Sequence, residues 1–174
     1  MKGHFDFFFL ESVNSTNDKI KDLAKNKKKS IALFSAEQTN GKGRSSNSWL
    51  SQRGDLTCSF FLYEKFSLKD LGRINIMISV CVLDAIKDIT KGLDVKIKWP
   101  NDIYIGEKKL GGILIETKVS KEHIINLIIG VGVNLTSSPK IDKYKTTKIS
   151  NYVSNISSKK LFLHLSEYIK NYFD

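Results

Sequence analysis

Residues 95–135 read VKIKWPNDIYIGEKKLGGILIETKVSKEHIINLIIGVGVNL, and this stretch indicates the fold class. Its apolar runs have the length and composition of β-strands, at 95–99, 103–105, 113–119 and 124–135. Gly106 and Glu107 form a short turn after the second of these runs. Strands joined by such turns pair as hairpins, so the stretch predicts antiparallel pairing along its length.

Strands and helices alternate through the residues before this stretch. Apolar runs predict strands at 5–13, 31–36 and 56–63. Ser15, followed by Asp18, forms a capping box that opens a short helix ending near residue 25. Ser67 and Asp70 repeat that pattern before a long helix, and Gly92 stands where a glycine would cap its carboxyl end.

The residues after the stretch are mostly polar. Residues 137–158 are loop-like apart from a short apolar piece at 149–153, and residues 160–173 predict a closing helix. A chain of 174 residues is long enough for one core and too short for two ordinary domains. We therefore expect a single α+β domain in which helices pack on a mixed or antiparallel sheet.

The composition is that of a soluble globular protein, with 41% hydrophobic and 26% charged residues. No apolar run approaches the roughly 20 residues that cross a bilayer, and no cleavable signal is apparent, so we expect a cytoplasmic protein without membrane partners. Cys58 and Cys81 lie in apolar stretches, which predicts buried thiols, and the histidines give no zinc signature. Lysine and arginine outnumber aspartate and glutamate by 28 to 18, which attracts anions in general.

The polar stretch 38–54 is the first candidate site, because long loops in compact domains are uncommon unless they are functional or disordered. Within it, residues 41–44 read GKGR, so two glycines let the backbone approach a ligand while two cations face an anion. A surface turn in a lysine-rich protein has the same composition. Trp49 favours the functional interpretation, because a large ring in a polar loop needs a surface on which to pack.

Three further segments have the residue types of a ligand site. Residues 98–102, KWPND, hold two short polar side chains near a sheet end, which suits a metal or nucleotide, although both are also ordinary turn residues. Trp99 within this segment is compatible with a core position in either case. Residues 109–116, KLGGILIE, place a lysine beside paired glycines at the start of a buried strand. Residues 130–134, GVGVN, place glycines inside an apolar strand, where they mark the close approach of a ligand or another backbone.

These segments occur in the order found in one protein family. The chain resembles the catalytic domain of biotin–protein ligases, which carry a Ser-Thr-Asn segment, a GRGRxGRxW loop, KWPND, KxxGIL(x)E and a GxGxN strand. Here these motifs stand at 15–17, 41–49, 98–102, 109–116 and 130–134. The resemblance covers nearly the whole chain, and KWPND together with KLGGILIE is a specific combination.

The resemblance implies a fold related to class II aminoacyl-tRNA synthetases and lipoate ligases, and a reaction through biotinyl-5'-AMP. Biotin is then the substrate, ATP and Mg²⁺ are the co-substrate and its ion, and no tightly bound prosthetic group is expected. Arg44 and Lys109 are the expected catalytic residues, because fixed cations stabilise the charge that accumulates when biotin's carboxylate attacks the α-phosphate. By resemblance, Lys109 holds the carboxylate and phosphate, and Arg44 binds and retains the adenylate.

The remaining site residues are also assigned by resemblance. The expected biotin site comprises Ser15, Thr16, Asn17, Gln38, Gly41, Lys42, Arg44, Lys109 and Gly112. The expected ATP and adenylate site comprises Trp49, Lys98, Asn101, Asp102 and Asn134. Asp102 and Asn134 are the expected oxygen ligands of magnesium between the phosphates.

The same resemblance predicts the partners. The expected acceptor is the biotin carboxyl carrier domain of a carboxylase such as acetyl-CoA carboxylase. We expect residues 1–174 to form a catalytic domain alone, without the helix-turn-helix or the small β-barrel of other members, and therefore no DNA binding. A homodimer through an exposed sheet edge is compatible with the family.

Other functions are compatible with the sequence. A lipoate or octanoate ligase or transferase shares the fold and a lysine near the carboxylate, but KWPND and the GKGR loop favour biotin. A degenerate ligase would bind biotin and transfer it poorly. A non-catalytic nucleic-acid-binding module would place stacking aromatics among basic residues on a sheet face. The phenylalanines at 7–9 and 60–61 are instead interpreted as core residues of strands.

The glycine loop departs from the family pattern, because Lys42 replaces an arginine, Ser46 a glycine and Asn47 an arginine. Lysine keeps the charge without the planar fork of arginine, and Asn47 removes a charge. We predict weak retention of the adenylate, and slower release from an Asn47→Arg variant. Measuring adenylate release from the two proteins side by side tests this prediction, and unchanged release contradicts it.

Overall fold

The computed structural model describes residues 5–173. The predicted single domain spans 1–174, so residues 1–4 and 174 of that prediction lie outside the described residues. The α-helices of the described part are α1 (Thr16–Ala24), α2 (Leu71–Thr90) and α3 (Ser158–Phe173). Its strands are β1 (Asp6–Val13), β2 (Ile31–Gln38), β3 (Gly41–Lys42), β4 (Ser48–Trp49), β5 (Leu56–Leu62), β6 (Phe66–Ser67), β7 (Lys96–Lys98), β8 (Asp102–Ile105), β9 (Lys108–Ser120) and β10 (His123–Val133).

The main sheet has the strand order β1-β2-β5-β10-β9-β8-β7, and β6 pairs with β10. Strands β1 and β2 run parallel because α1 connects them as a crossover, whereas the other neighbours pair antiparallel. Strands β3 and β4 form a separate hairpin. The predicted α+β class with a mixed sheet and antiparallel 95–135 region is confirmed.

Helices cover both faces of the sheet because its central strands are apolar on both sides. Helices α2 and α3 pack on one face, where Phe60 and Phe162 belong to the larger core cluster. Helix α1 packs on the other face, where Ile20 contacts a smaller cluster that includes Ile128 of β10. Since side chains alternate along a strand, Ile128 shares its face with residues 130 and 132. The face that carries α1 therefore also carries the glycines of β10.

The cysteines occupy the core, as the sequence predicts. Cys58 and Cys81 are both buried and free. Burial raises the pKa of the Cys58 thiol well above its ordinary value. Burial, followed by the negative charge of Asp84, raises the pKa of Cys81 to about 11. Both thiols therefore stay protonated and act as small apolar side chains. None of the described helices is long and apolar enough to cross a membrane.

Several element boundaries differ from the sequence prediction. Strand β9 begins at Lys108 and so includes the lysine and glycines of the KLGGILIE segment, because these residues pair with β8. Ser67 caps a short 3₁₀ turn, and α2 begins only at Leu71. Lys91, rather than Gly92, occupies the left-handed cap of α2, although Gly92 also has a positive φ.

The two edges of the sheet expose aromatic side chains. Trp99 is 78% exposed and does not occupy the core, because it follows β7, the last strand of the sheet, whose three residues are themselves all exposed. Phe7 and Phe9 of the opposite edge strand β1 are 45% and 44% exposed, although both rings contact Phe162 edge-on. Phe60 and Phe61, in the central strand β5, are buried as expected.

Phe162 joins α3 to the sheet and offers a test of this packing. Its fully buried ring lies 5.7 Å from the ring of Phe34 and 5.8 Å from that of Phe60, measured between centroids. We predict that Phe162→Ala lowers the free energy of unfolding by about 3–5 kcal/mol, because it leaves a cavity. The neighbouring Leu163 is 40% exposed, so Leu163→Ala should cost less than about 1 kcal/mol. Urea denaturation measures both, and equal losses would show that α3 is not packed as described.

Candidate active site

The floor of a large cleft is built from glycines of β9 and β10. The cleft has a volume of about 920 Å³ and opens beside α1. A Cβ atom at Gly130 would overlap the side-chain amide of Asn17, and one at Gly132 would overlap the indole ring of Trp49. At Gly112 a Cβ would lie 3.3 Å from the same ring. Glycine at these positions therefore lets both walls of the cleft approach the sheet.

The first turn of α1 forms one wall. Ser15 is the N-cap residue, and its hydroxyl accepts a hydrogen bond from the amide of Asp18 at 3.4 Å. The backbone amide and the hydroxyl of Thr16 both donate to Oε1 of Gln38, at 2.8 and 3.0 Å. Ser15, Thr16 and Asn17 are buried, and all line the cleft together with Gln38.

The β3–β4 hairpin forms the opposite wall and contains the departures from the family pattern. Ser45 and Ser46 have positive φ values of 51° and 61°, which is the left-handed region that favours glycine. The backbone amide and the side-chain amide of Asn47 both donate to the carbonyl of Arg44, at 3.0 and 2.9 Å. Asn47, which stands where the family pattern has an arginine, thus closes the turn through these two hydrogen bonds.

Lys42 is tied to helix α1. Its ammonium lies 2.6 Å from a carboxylate oxygen of Asp18, and both side chains are roughly half exposed. The hairpin is therefore connected to the first turn of α1 by an ion pair across the mouth of the cleft.

Arg44 points into the cleft and is held by Asn101. Its Nη1 donates to Oδ1 of Asn101 at 2.8 Å. Asn101 is buried, and its Nδ2 donates to the carbonyl of Ile113 at 2.5 Å, which fixes the orientation of the amide. Asn101 therefore orients the guanidinium, and both ends of its side chain are engaged.

Lys109 lies across the cleft floor. Its side chain is 13% exposed, and its ammonium lies 2.8 Å from a carboxylate oxygen of Asp102. The same ammonium lies 5.9 Å from the ring centroid of Trp49 and 5.0 Å from that of Tyr144, within cation–π range. Two cations, Arg44 and Lys109, thus converge on one concave site whose walls exclude part of the solvent.

Comparison with known proteins identifies the family. Residues 9–134 match the model of the biotin/lipoate A/B protein ligase family. The chain belongs to this family. It is 31% identical over 155 residues to the bifunctional ligase/repressor BirA of Bacillus subtilis (strain 168), and the match covers 88% of this chain and 47% of that protein. The chain therefore spans about half the length of this relative.

Solved biotin protein ligases have the same fold. The enzyme from Leishmania major in complex with biotinyl-5-AMP superimposes with a TM-score of 0.83 at 25% identity, over 95% of this chain and 74% of that one. The enzyme from Aquifex aeolicus in complex with biotin and ATP gives 0.75 at 31% identity, over 97% and 72%. The predicted biotin/lipoate ligase fold, related to class II synthetases, is confirmed.

Three residues that the family resemblance assigns to the site do not line this cleft. Lys98 is exposed on β7, and its ammonium lies over the ring of Tyr104. Gly41 lies beneath the side chain of Gln38 and lines a neighbouring depression instead. Asn134 is 2% exposed, and its Nδ2 donates to the carbonyl of Thr147 at 3.0 Å. Asn134 therefore fastens the backbone near residue 147 to the end of β10.

Only one of the two predicted magnesium ligands lines the cleft, so the pair stays a prediction. Asp102 lines the cleft but is paired with Lys109, whereas Asn134 is buried outside the cleft lining. Asn134 Oδ1 is a buried atom without a hydrogen-bond partner, yet a single amide oxygen is a weak ligand. Residues 5–173 contain no cluster of three or more carboxylate, histidine or cysteine side chains. The structure gives the pair Asp102 and Asn134 no support as a metal centre.

The sequence prediction missed one segment of the cleft wall. Residues 140–144 line the cleft, and the ring of Tyr144 faces the ammonium of Lys109. This segment is held by backbone bonds, since Lys109 donates to the carbonyl of Lys145 and accepts from the amide of Thr147, both at 2.9 Å. The length of the polar stretch 137–158 is the signal that could have indicated it, by the argument already used for 38–54.

The left-handed backbone conformation of Ser46 in the hairpin can be tested by stability measurements without any ligand. Ser46 has a Cβ in a region that strains non-glycine residues, so Ser46→Gly should raise the free energy of unfolding by up to about 1 kcal/mol. Ser48 lies in β4 of the same hairpin, and Ser48→Gly should lower it by roughly 0.5–1 kcal/mol. Chemical denaturation of the two variants measures the difference, and a destabilised Ser46→Gly variant would contradict the assigned turn.

Proposed function

We propose that this chain is a biotin–protein ligase, which adenylates biotin with ATP and transfers the biotinyl group to a lysine of a carrier protein. The observation that carries the proposal is the convergence of Arg44 and Lys109 on one glycine-floored cleft. Each cation is oriented by its own partner, Asn101 for the guanidinium and Asp102 for the ammonium. The relatives named as biotin protein ligases, solved with biotin, ATP or biotinyl-5-AMP, support the choice of substrate.

The first step brings anions together. An oxygen of biotin's carboxylate attacks the α-phosphorus of ATP, the bond to pyrophosphate breaks, and biotinyl-5'-AMP remains. Negative charge grows on the α-phosphoryl oxygens, and cations fixed in advance stabilise it without reorganisation. By the family resemblance we assign Lys109 to the carboxylate and α-phosphate, and its low exposure beside the cleft floor supports that role. We assign Arg44 to the adenylate phosphate, which it would hold against release.

The second step consumes the mixed anhydride. The nitrogen of a carrier lysine attacks the carbonyl carbon, the bond to AMP breaks, and an amide forms with loss of one proton from the amine. We propose a biotin carboxyl carrier domain as the acceptor, as of an acetyl-CoA carboxylase, with the reaction in the cytoplasm. The net charge of +10 would favour the approach of the anionic nucleotide to the cleft.

The bicyclic head of biotin is proposed to bind at the first turn of α1. Its ureido group has two donors and one acceptor, and the wall formed by Ser15, Thr16, Asn17 and Gln38 has matching polar groups. Trp49 lies against the glycine floor and is proposed to cover the adenylate. Lys42 contributes through its ion pair with Asp18, which holds the hairpin beside α1.

Exchange of pyrophosphate into ATP tests the proposal. We predict exchange with biotin and none with lipoate or octanoate. Lys109→Ala should lower the rate by about 100-fold or more, since it removes a fixed cation from the site of charge build-up. Arg44→Ala should release the adenylate into solution. Lys96→Ala serves as the matched control, because Lys96 is an exposed lysine of β7 outside the cleft.

Two outcomes would overturn the assignment. Exchange with lipoate or octanoate in place of biotin would make the chain a ligase for those acids. Exchange that survives Lys109→Ala unchanged would remove the residue on which the mechanism depends. Biotin transfer to a purified carrier domain, followed by mass spectrometry of the carrier, then tests the second step separately.

A further inference from the structure

Glu116 is a charged residue of the cleft region that the reaction described above does not use. It lies on β9, in the motif that contains Lys109, but it is not among the residues that line the cleft. Its two carboxylate oxygens are both engaged. Oε2 accepts a hydrogen bond from Nδ2 of Asn17 at 2.7 Å, and Oε1 lies 2.7 Å from the ammonium of Lys21.

The Asn17 amide can adopt only one orientation. The carboxylate of Glu116 only accepts hydrogen bonds, so Nδ2 of Asn17 must face it, and Oδ1 then accepts a hydrogen bond from the hydroxyl of Ser59 at 2.6 Å. Asn17 is buried, and the missing side chain at Gly130 provides the space in which the amide lies. A buried amide with both ends fixed is a rigid connection between helix α1 and strands β5 and β9.

Glu116 therefore holds the N-terminal half of α1 at two points, Asn17 and Lys21. Asn17 and Lys21 are four residues apart, so both side chains lie on the same face of the helix. Partial burial lowers the pKa of Lys21, but the hydrogen bond and the charge of Glu116, together with Asp18, outweigh it and raise the pKa above its ordinary value. Lys21 thus stays charged and continues the connection to Asp18 at 3.5 Å.

The connection reaches the opposite wall of the cleft. The carboxylate of Asp18 forms ion pairs with both Lys21 and Lys42, and Lys42 belongs to the β3–β4 hairpin. Charges of alternating sign therefore run from Glu116 to the hairpin across the mouth of the cleft. Replacing Glu116 by a neutral amide would leave one acceptor oxygen for Asn17 and Lys21 in place of two, and the N-terminal half of α1 would be held less firmly against the sheet.

We propose that Glu116 is a positioning residue for the neutral bicyclic head of the carboxylic acid substrate. It acts through Asn17 and Lys21 to set the first turn of α1, whose residues 15–17 line the cleft. This inference rests on the proposed function. It predicts that Glu116 governs the affinity for biotin, whereas the affinity for ATP and the chemical step depend on Arg44 and Lys109.

Steady-state pyrophosphate exchange with the full chain separates these effects. Glu116→Gln keeps the shape of the side chain and removes its charge. We expect the KM for biotin to rise about 10-fold, the size of one lost hydrogen bond to a charged group, while kcat and the KM for ATP change less than about 2-fold. Glu122→Gln is the control, because Glu122 is an exposed carboxylate in the turn that follows the same strand. It should leave all three constants unchanged.

A reciprocal exchange tests the contact itself. Asn17→Asp alone would set two carboxylates against each other, so the KM for biotin should rise further than in Glu116→Gln. In the double variant Asn17→Asp/Glu116→Gln, the amide at position 116 can donate to the carboxylate at position 17, while Ser59 still donates to that carboxylate. The KM for biotin should then recover toward the wild-type value relative to Asn17→Asp.

The outcomes distinguish this inference from the proposed function. No biotin-dependent exchange by the wild-type chain would overturn the proposed function and this inference with it. Exchange by the wild type with an unchanged KM for biotin in Glu116→Gln would overturn the positioning role alone. Equal increases in both KM values, or loss of kcat without a KM change, would also overturn it, because they would show a general structural role.

Discussion

The cleft depends on the absence of side chains at Gly130 and Gly132. These residues lie on the α1 face of β10, the strand that pairs with β5 and β9 in the middle of the sheet. Asn17 occupies the space above Gly130, and the indole of Trp49 occupies the space above Gly132. A methyl group at either position would displace one wall of the cleft. One central strand thus fixes the distance from the sheet to both the helix and the hairpin.

The polar groups around the cleft are held in fixed orientations by partners from distant parts of the chain. Arg44 is held by Asn101, whose amide is in turn fixed by the carbonyl of Ile113. The buried carboxylate of Asp55 accepts the backbone amides of residues 135–137 and so directs the chain that leaves β10 toward the cleft wall. Polar groups in partly buried positions are costly without partners, so such networks are rigid when complete. Rigidity of this kind suits a site that stabilises charge by preorganisation.

The glycine loop departs from the family pattern and is closed by contacts of its own. The position of a glycine is taken by Ser46, which adopts the left-handed conformation that favours glycine, at some cost in strain. The position of an arginine is taken by Asn47, whose two amide groups close the turn on the carbonyl of Arg44. Lys42 pairs with Asp18 of α1. The loop is therefore stabilised by contacts within this chain that the family pattern alone does not indicate.

The sequence by itself determined most of the helices and strands, the α+β class, the family and most of the segments that line the cleft. These features depend on periodicity, capping residues and short motifs, which are local properties of the chain. Only the tertiary structure decided that Trp99 is exposed, that Lys98 and Asn134 lie away from the cleft, and that residues 140–144 form part of its wall. The physical reason is that the exposure of a residue near a sheet edge depends on the order of the strands in the sheet. The hydrogen-bond partner of a side chain likewise depends on which distant parts of the chain the fold brings together. Asn17 and Glu116 are 99 residues apart in the chain, and Arg44 and Asn101 are 57 apart, so no local pattern could join them.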